Sequence, residues 1–137
     1  MYRILTLLAA LLVAAGCTSS LTTDCNKGDT CACDGAGACT WNCVGAGCTF
    51  TASGQGAASL TCPGGSCTLN ASGTGGANMS CAGGKCTVTA TGSGAIELSC
   101  KGGGCTVNCQ GMGACHVSDC PTCTCNSSSV TAPCSVD

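Results

Sequence analysis

Aromatic side chains and charge are nearly missing from this sequence. Its 137 residues include one Trp, one Tyr and one Phe, with four Lys+Arg against six Asp+Glu. Four basic residues cannot build the positive patch that a phosphate backbone requires, which argues against a nucleic-acid partner. A formal net charge of −2 is too small to point to a charged partner. His116 is the only His, and the acids Asp24, Asp29, Asp34, Glu97, Asp119 and Asp137 are scattered. No Ser or Cys nucleophile can be singled out with a base and an orienting group, so enzymatic catalysis is not expected. No Gly-rich segment has the GxxxxGK[ST] form of a phosphate loop, and no cofactor is implied. Large aliphatic residues are sparse after Cys17, and no stretch there has helical periodicity. Such a chain cannot bury an ordinary apolar core.

Cysteine and glycine are abundant instead, at 19 and 22 residues. The 45% hydrophobic content is largely Cys and Ala. Cysteine at this density in a short exported chain marks a disulfide scaffold.

Export is indicated by the first residues. Arg3 precedes an apolar run from Ile4 to Ala15, too short to span a bilayer comfortably but placed where a secretory signal sits. The run ends in Val13-Ala14-Ala15-Gly16-Cys17. This resembles the lipobox of bacterial lipoproteins, with Ala14 where Leu is usual. The resemblance implies cleavage before Cys17, lipidation of Cys17 and a membrane anchor made by acyl chains. Thr18 after the Cys is similar to the signal for outer-membrane sorting in enterobacterial lipoproteins, which implies a cell-envelope location facing periplasm or exterior. Setting Cys17 aside leaves 18 of the 19 Cys, an even number suited to disulfides. The other reading is a plain secretory signal with Cys17 as an ordinary cysteine.

Cys43, Cys62, Cys81 and Cys100 recur every 19 residues, and so do Cys48, Cys67, Cys86 and Cys105. Within each unit two short stretches alternate with period two, as in Cys86-Thr-Val-Thr-Ala90 and Ile96-Glu-Leu-Ser-Cys100. Alternation bounded by Gly-rich turns is a strand signature. Cys, aliphatic residues and Ala share one face; Thr, Ser and Asn share the other. One unit cannot bury its apolar face alone, whereas stacked units enclose a thin continuous core. The expected fold is an all-β, disulfide-stapled β-solenoid with a 19-residue, two-strand repeat. An antiparallel β-hairpin meander with the same strands is the alternative.

Both cysteines of a unit point inward and bracket a four-residue turn, as in Cys62-Pro-Gly-Gly-Ser-Cys67. The spacing predicts Cys43–Cys48, Cys62–Cys67, Cys81–Cys86 and Cys100–Cys105. The other corner carries Ala52/Ala58, Ala71/Ala77 and Ala90/Ile96. One repeat before and one after these pairs stand Cys33/Cys39 and Cys109/Cys115, which should staple the terminal coils. Bridges between stacked coils are a rival arrangement, since a ladder of Cys also brings sulfurs together. Cys25, Cys31, Cys120, Cys123, Cys125 and Cys134 remain unassigned. The chain thus divides into a signal at 1–16, lipidated Cys and polar tether at 17–30, repeats at 31–119, and a Cys-containing cap and tail at 120–137. Within the last segment, Asn126 to Ala132 reads as a mobile tail, tied back only if Cys134 is bridged.

Three chemistries deserve comparison. Cys115, His116, Cys120, Cys123 and Cys125 form a close N/S set that would suit Zn²⁺ or Cu(I) if the thiols were free. An end-cap of disulfides is the competing reading. Cys120-Pro-Thr-Cys123 has redox CxxC spacing but lacks the βαβ context of such motifs. Thr49, Thr51, Thr68, Thr87, Thr89 and Thr106 would form a hydroxyl array. That array resembles the Thr ladders of insect β-helical antifreeze proteins, also disulfide-rich. The resemblance implies ice binding, although Asn70 and Asn108 interrupt the array and the repeat length differs. The same residues also suit a sugar or other surface polymer, or simply a solvated strand face. The expected function is a non-enzymatic, lipid-anchored structural or surface-binding module of the envelope. A thiolate metal-binding lipoprotein is the alternative.

Overall fold

Cys, Val, Leu and Ala alternating with Thr, Ser and Asn favour extended backbone with one face buried. The computed structural model describes residues 21–128 and 133–137, and those residues form strands joined by short turns with no helix. Thirteen strands follow one another: β1 Leu21–Asn26, β2 Thr30–Cys33, β3 Cys39–Val44, β4 Thr49–Ala52, β5 Ala58–Thr61, β6 Thr68–Ala71, β7 Ala77–Ser80, β8 Thr87–Ala90, β9 Ile96–Ser99, β10 Thr106–Cys109, β11 Cys115–Ser118, β12 Thr124–Ser127 and β13 Cys134–Val136. The odd-numbered strands make a seven-stranded sheet and the even-numbered strands a six-stranded one, each in sequence order. Every pairing is parallel, which establishes a β-solenoid and excludes the hairpin meander.

The register follows the 19-residue period through the centre, as in Leu69↔Val88 and Leu60↔Met79. It shortens by one residue at β1 on β3, where Leu21 faces Cys39, and at β12 on β10, where Thr124 faces Thr106. The stack therefore extends beyond the segment expected from the repeat. Leu21–Asp24, expected as tether, lies in β1; Asn126 and Ser127, expected as tail, lie in β12. A strict 19-residue period hides both strands because their coils have 18 residues.

The interior is one file of side chains. Trp41, Leu60, Met79, Leu98 and Val117 come from the larger sheet; Phe50, Leu69, Val88 and Val107 come from the smaller. The file is widest near the N-terminal end, where the Trp41 and Phe50 rings stack with centroids 5.6 Å apart and planes at 11°. Cys and Ala fill the corners, and no polar or charged residue is buried among the described residues.

Glycine is required at two kinds of turn position. In the column Gly54, Gly73, Gly92 and Gly111, an added Cβ would collide with backbone of the coil before it. Gly65 and Gly84 take φ of 75° and 72°, and the next residues, Ser66 and Lys85, also lie in the left-handed region at 57° and 58°. Two successive positive φ values turn the chain tightly between the paired cysteines.

Candidate functional site

Two features could carry function: the outer face of the smaller sheet and the sulfur column inside one corner. The face follows from strand alternation, which turns every second residue outward. Parallel register then stacks equivalent residues. Thr30, Thr49, Thr68, Thr87, Thr106 and Thr124 form one uninterrupted column. Beside it run Ala32, Thr51, Asn70, Thr89, Asn108 and Asn126. Asn126 Nδ2 donates to Asn108 Oδ1 at 3.1 Å, so the last two amides of the second column are bonded to each other. None of these side chains is charged. Strands in a sheet sit about 4.7–4.9 Å apart, so the hydroxyls repeat at that interval.

Thr30 and Thr124 were absent from the hydroxyl array expected from sequence. Thr30 stands one 19-residue step before Thr49 and was there to be read. Thr124 was concealed by the 18-residue step.

The larger sheet presents Thr40, Ser59, Asn78, Glu97, His116 and Ser135 in one column. A shallow trough runs along this face past Ser59, Asn78, Glu97 and His116. At its C-terminal end His116 Nδ1 lies 2.9 Å from Ser135 Oγ, and its Nε2 lies 3.3 Å from Asp137 Oδ2. Sequence reasoning grouped His116 with cysteines and named neither of these contacts. Ser135 was recoverable from the 19-residue step, whereas the Asp137 contact depends on how the chain leaves β13. His116 and Asp137 are both open to solvent at 44% and 73% exposure, so this contact contributes little.

All eighteen cysteines of the described residues are paired. Cys43–Cys48, Cys62–Cys67, Cys81–Cys86 and Cys100–Cys105 close the Gly-rich turns. Cys33–Cys39 and Cys109–Cys115 close the opposite corner in the outer coils. The cysteines left unassigned by spacing form Cys25–Cys31, Cys120–Cys123 and Cys125–Cys134. Cys31 and Cys125 occupy the positions of Phe50 and Val107, so the smaller sheet's inward row ends in sulfur on both sides. Cys17, the expected lipidation site, lies outside the described residues.

The N/S set considered for a metal is not assembled. Cys115 points inward and is bonded to Cys109, while its neighbour His116 points to the outer face. Cys120 and Cys123 are bonded to each other, and Cys125 is bonded to Cys134. A sulfur held in a disulfide is not a thiolate ligand. The close sulfur groups among the described residues are instead Cys43/Cys48/Cys67, Cys62/Cys67/Cys86, Cys81/Cys100/Cys105 and Cys100/Cys120/Cys123, each within 4.8 Å.

Among the described residues no helix is long and apolar enough to cross a membrane. The chain matches no family model, no curated protein and no solved structure.

Proposed function

We propose that this protein is a non-enzymatic surface-binding and spacing module of the bacterial cell envelope, anchored by lipid on Cys17. Its smaller sheet binds an extended, uncharged polymer such as a glycan. The unbroken Thr column from Thr30 to Thr124 is the observation that carries this reading. A glycan presents hydroxyls at regular intervals along its length, and a column of strand hydroxyls offers donors and acceptors at regular intervals in return. Thr is stiff at χ1, and the stapled frame fixes the strand spacing, so little freedom is lost on binding. The face carries no charge, so binding should persist in salt that abolishes an ionic contact.

The test is co-sedimentation of the purified protein with insoluble envelope polysaccharides, at low and high salt. The native protein should be retained at both. Thr87→Leu with Thr89→Leu should lower retention about tenfold, since two central hydroxyls are lost and the strand remains foldable. If the native protein is not retained, or the double substitution leaves retention intact, the Thr-face reading fails. Anchoring has its own check. Metabolic labelling with a fatty acid should mark the full chain and not Cys17→Ser.

A further inference from the structure

We propose a second activity: Cys120–Cys123 is the entry point of a thiol–disulfide relay along one corner of the solenoid, reduced by an external dithiol protein. The sulfurs of five successive bridges form a continuous ladder. Cys100 lies with Cys120 and Cys123, Cys81 with Cys100 and Cys105, Cys86 with Cys62 and Cys67, and Cys67 with Cys43 and Cys48, all within 4.8 Å. The four inner bridges are buried, with every sulfur-bearing residue at 0–1% exposure. Cys120 and Cys123 are only half-buried and sit at the end. Their turn is seated on the preceding one: Gly104 N–H donates to Thr122 Oγ1 at 3.0 Å, and Gly103 leaves room for Pro121 and Thr122.

The chemistry balances without a further reagent. The external dithiol reduces Cys120–Cys123 to two thiols and is itself oxidised to a disulfide. A thiolate of Cys120 or Cys123 then attacks Cys100 Sγ; the new S–S bond forms as Cys100–Cys105 breaks, and Cys105 leaves as thiolate. The Cys86 N–H already points at Cys105 Sγ at 3.3 Å and would stabilise that charge. Cys105 is next to Cys81, whose bridge releases Cys86; Cys86 is next to Cys62, whose bridge releases Cys67. Each released sulfur thus lies beside the bridge that follows. Every exchange conserves the number of disulfides, and the attacker's proton ends on the departing thiolate.

The probe is one molar equivalent of a reduced thioredoxin-type protein, too large to reach buried bridges. After acid quench, free thiols are alkylated and mapped by mass spectrometry. The relay predicts alkylation at Cys105 and Cys86, with new bridges from Cys100 to Cys120 or Cys123, formed after the reduction of Cys120–Cys123 at a rate independent of protein concentration. Alkylation confined to Cys120 and Cys123 would overturn it. In Cys120→Ser with Cys123→Ser, shown folded by circular dichroism, labelling of Cys105 should fall about tenfold or more because the accessible entry is gone. Unchanged labelling there would also overturn it. The native map stands on its own should the variant misfold.

Discussion

At the residue scale, the backbone packs so closely that single hydrogens matter. Gly73 sits over the backbone of Ser53 and Gly54, and an added Cβ would strike the Gly54 carbonyl oxygen. Gly35 occupies the equivalent turn of the first coil, where the nearest atom is Gly37 N at 3.8 Å. Neither has positive φ, so the two differ in contact and not in conformational preference. Gly73→Ala should destabilise by about 1–3 kcal/mol, the usual cost of overpacking. Gly35→Ala should be neutral or mildly stabilising, by about 0.4–1 kcal/mol, because it restricts the unfolded chain. Denaturant titration of both variants with all bridges intact checks the contrast. Equal effects would mean that the turn column is not as tightly stacked as its geometry requires.

At the element scale, the bridge across each Gly-rich turn replaces apolar burial that the sequence does not supply. Cys81–Cys86 closes a loop with a sequence separation of 5. In the chain-entropy picture such a loop contributes about 2 kcal/mol, so Cys81→Ala with Cys86→Ala should lower stability by about that amount or slightly more. Ala keeps the corner apolar and leaves no unpaired polar group. Calorimetry of the double variant against the native protein measures the difference. A loss near zero would show that strand pairing alone holds the central coils.

Strand existence, facing and the six regular bridges were legible because each rests on a repeated local rule. Cys86, Val88 and Ala90 alternate with Thr87 and Thr89, and the same phase returns one repeat later. The terminal coils were not legible in the same way. Their coils have 18 residues, and Cys120–Cys123 closes its turn with a separation of 3 where the central bridges use 5. Parallel pairing itself was a topological inference, since alternation is identical in a hairpin and in a coil. The ladder of sulfurs between bridges was visible only as a rival pairing scheme. Distances, not spacing, show that it coexists with the within-turn bridges.

At the scale of the whole molecule, stability is nearly one-dimensional. Each coil pairs only with the coil before and after it, so opening should begin at the ends and move inward. The placement of extra bridges fits that expectation. Central coils close one corner with Ala52/Ala58, Ala71/Ala77 and Ala90/Ile96, whereas the outer coils close it with Cys33–Cys39 and Cys109–Cys115. Cys109→Ala with Cys115→Ala gives the C-terminal coil the corner that the centre already tolerates. Hydrogen exchange should then accelerate in β10 to β13 by about tenfold or more, as expected when roughly 2 kcal/mol of local constraint is removed. Exchange in β2 to β5 should be unchanged, because at least two intact coils separate them from the new weak point. Uniform acceleration along the chain would instead mean that all coils open together. The end bridges would then stabilise a single cooperative unit and not an end prone to fraying.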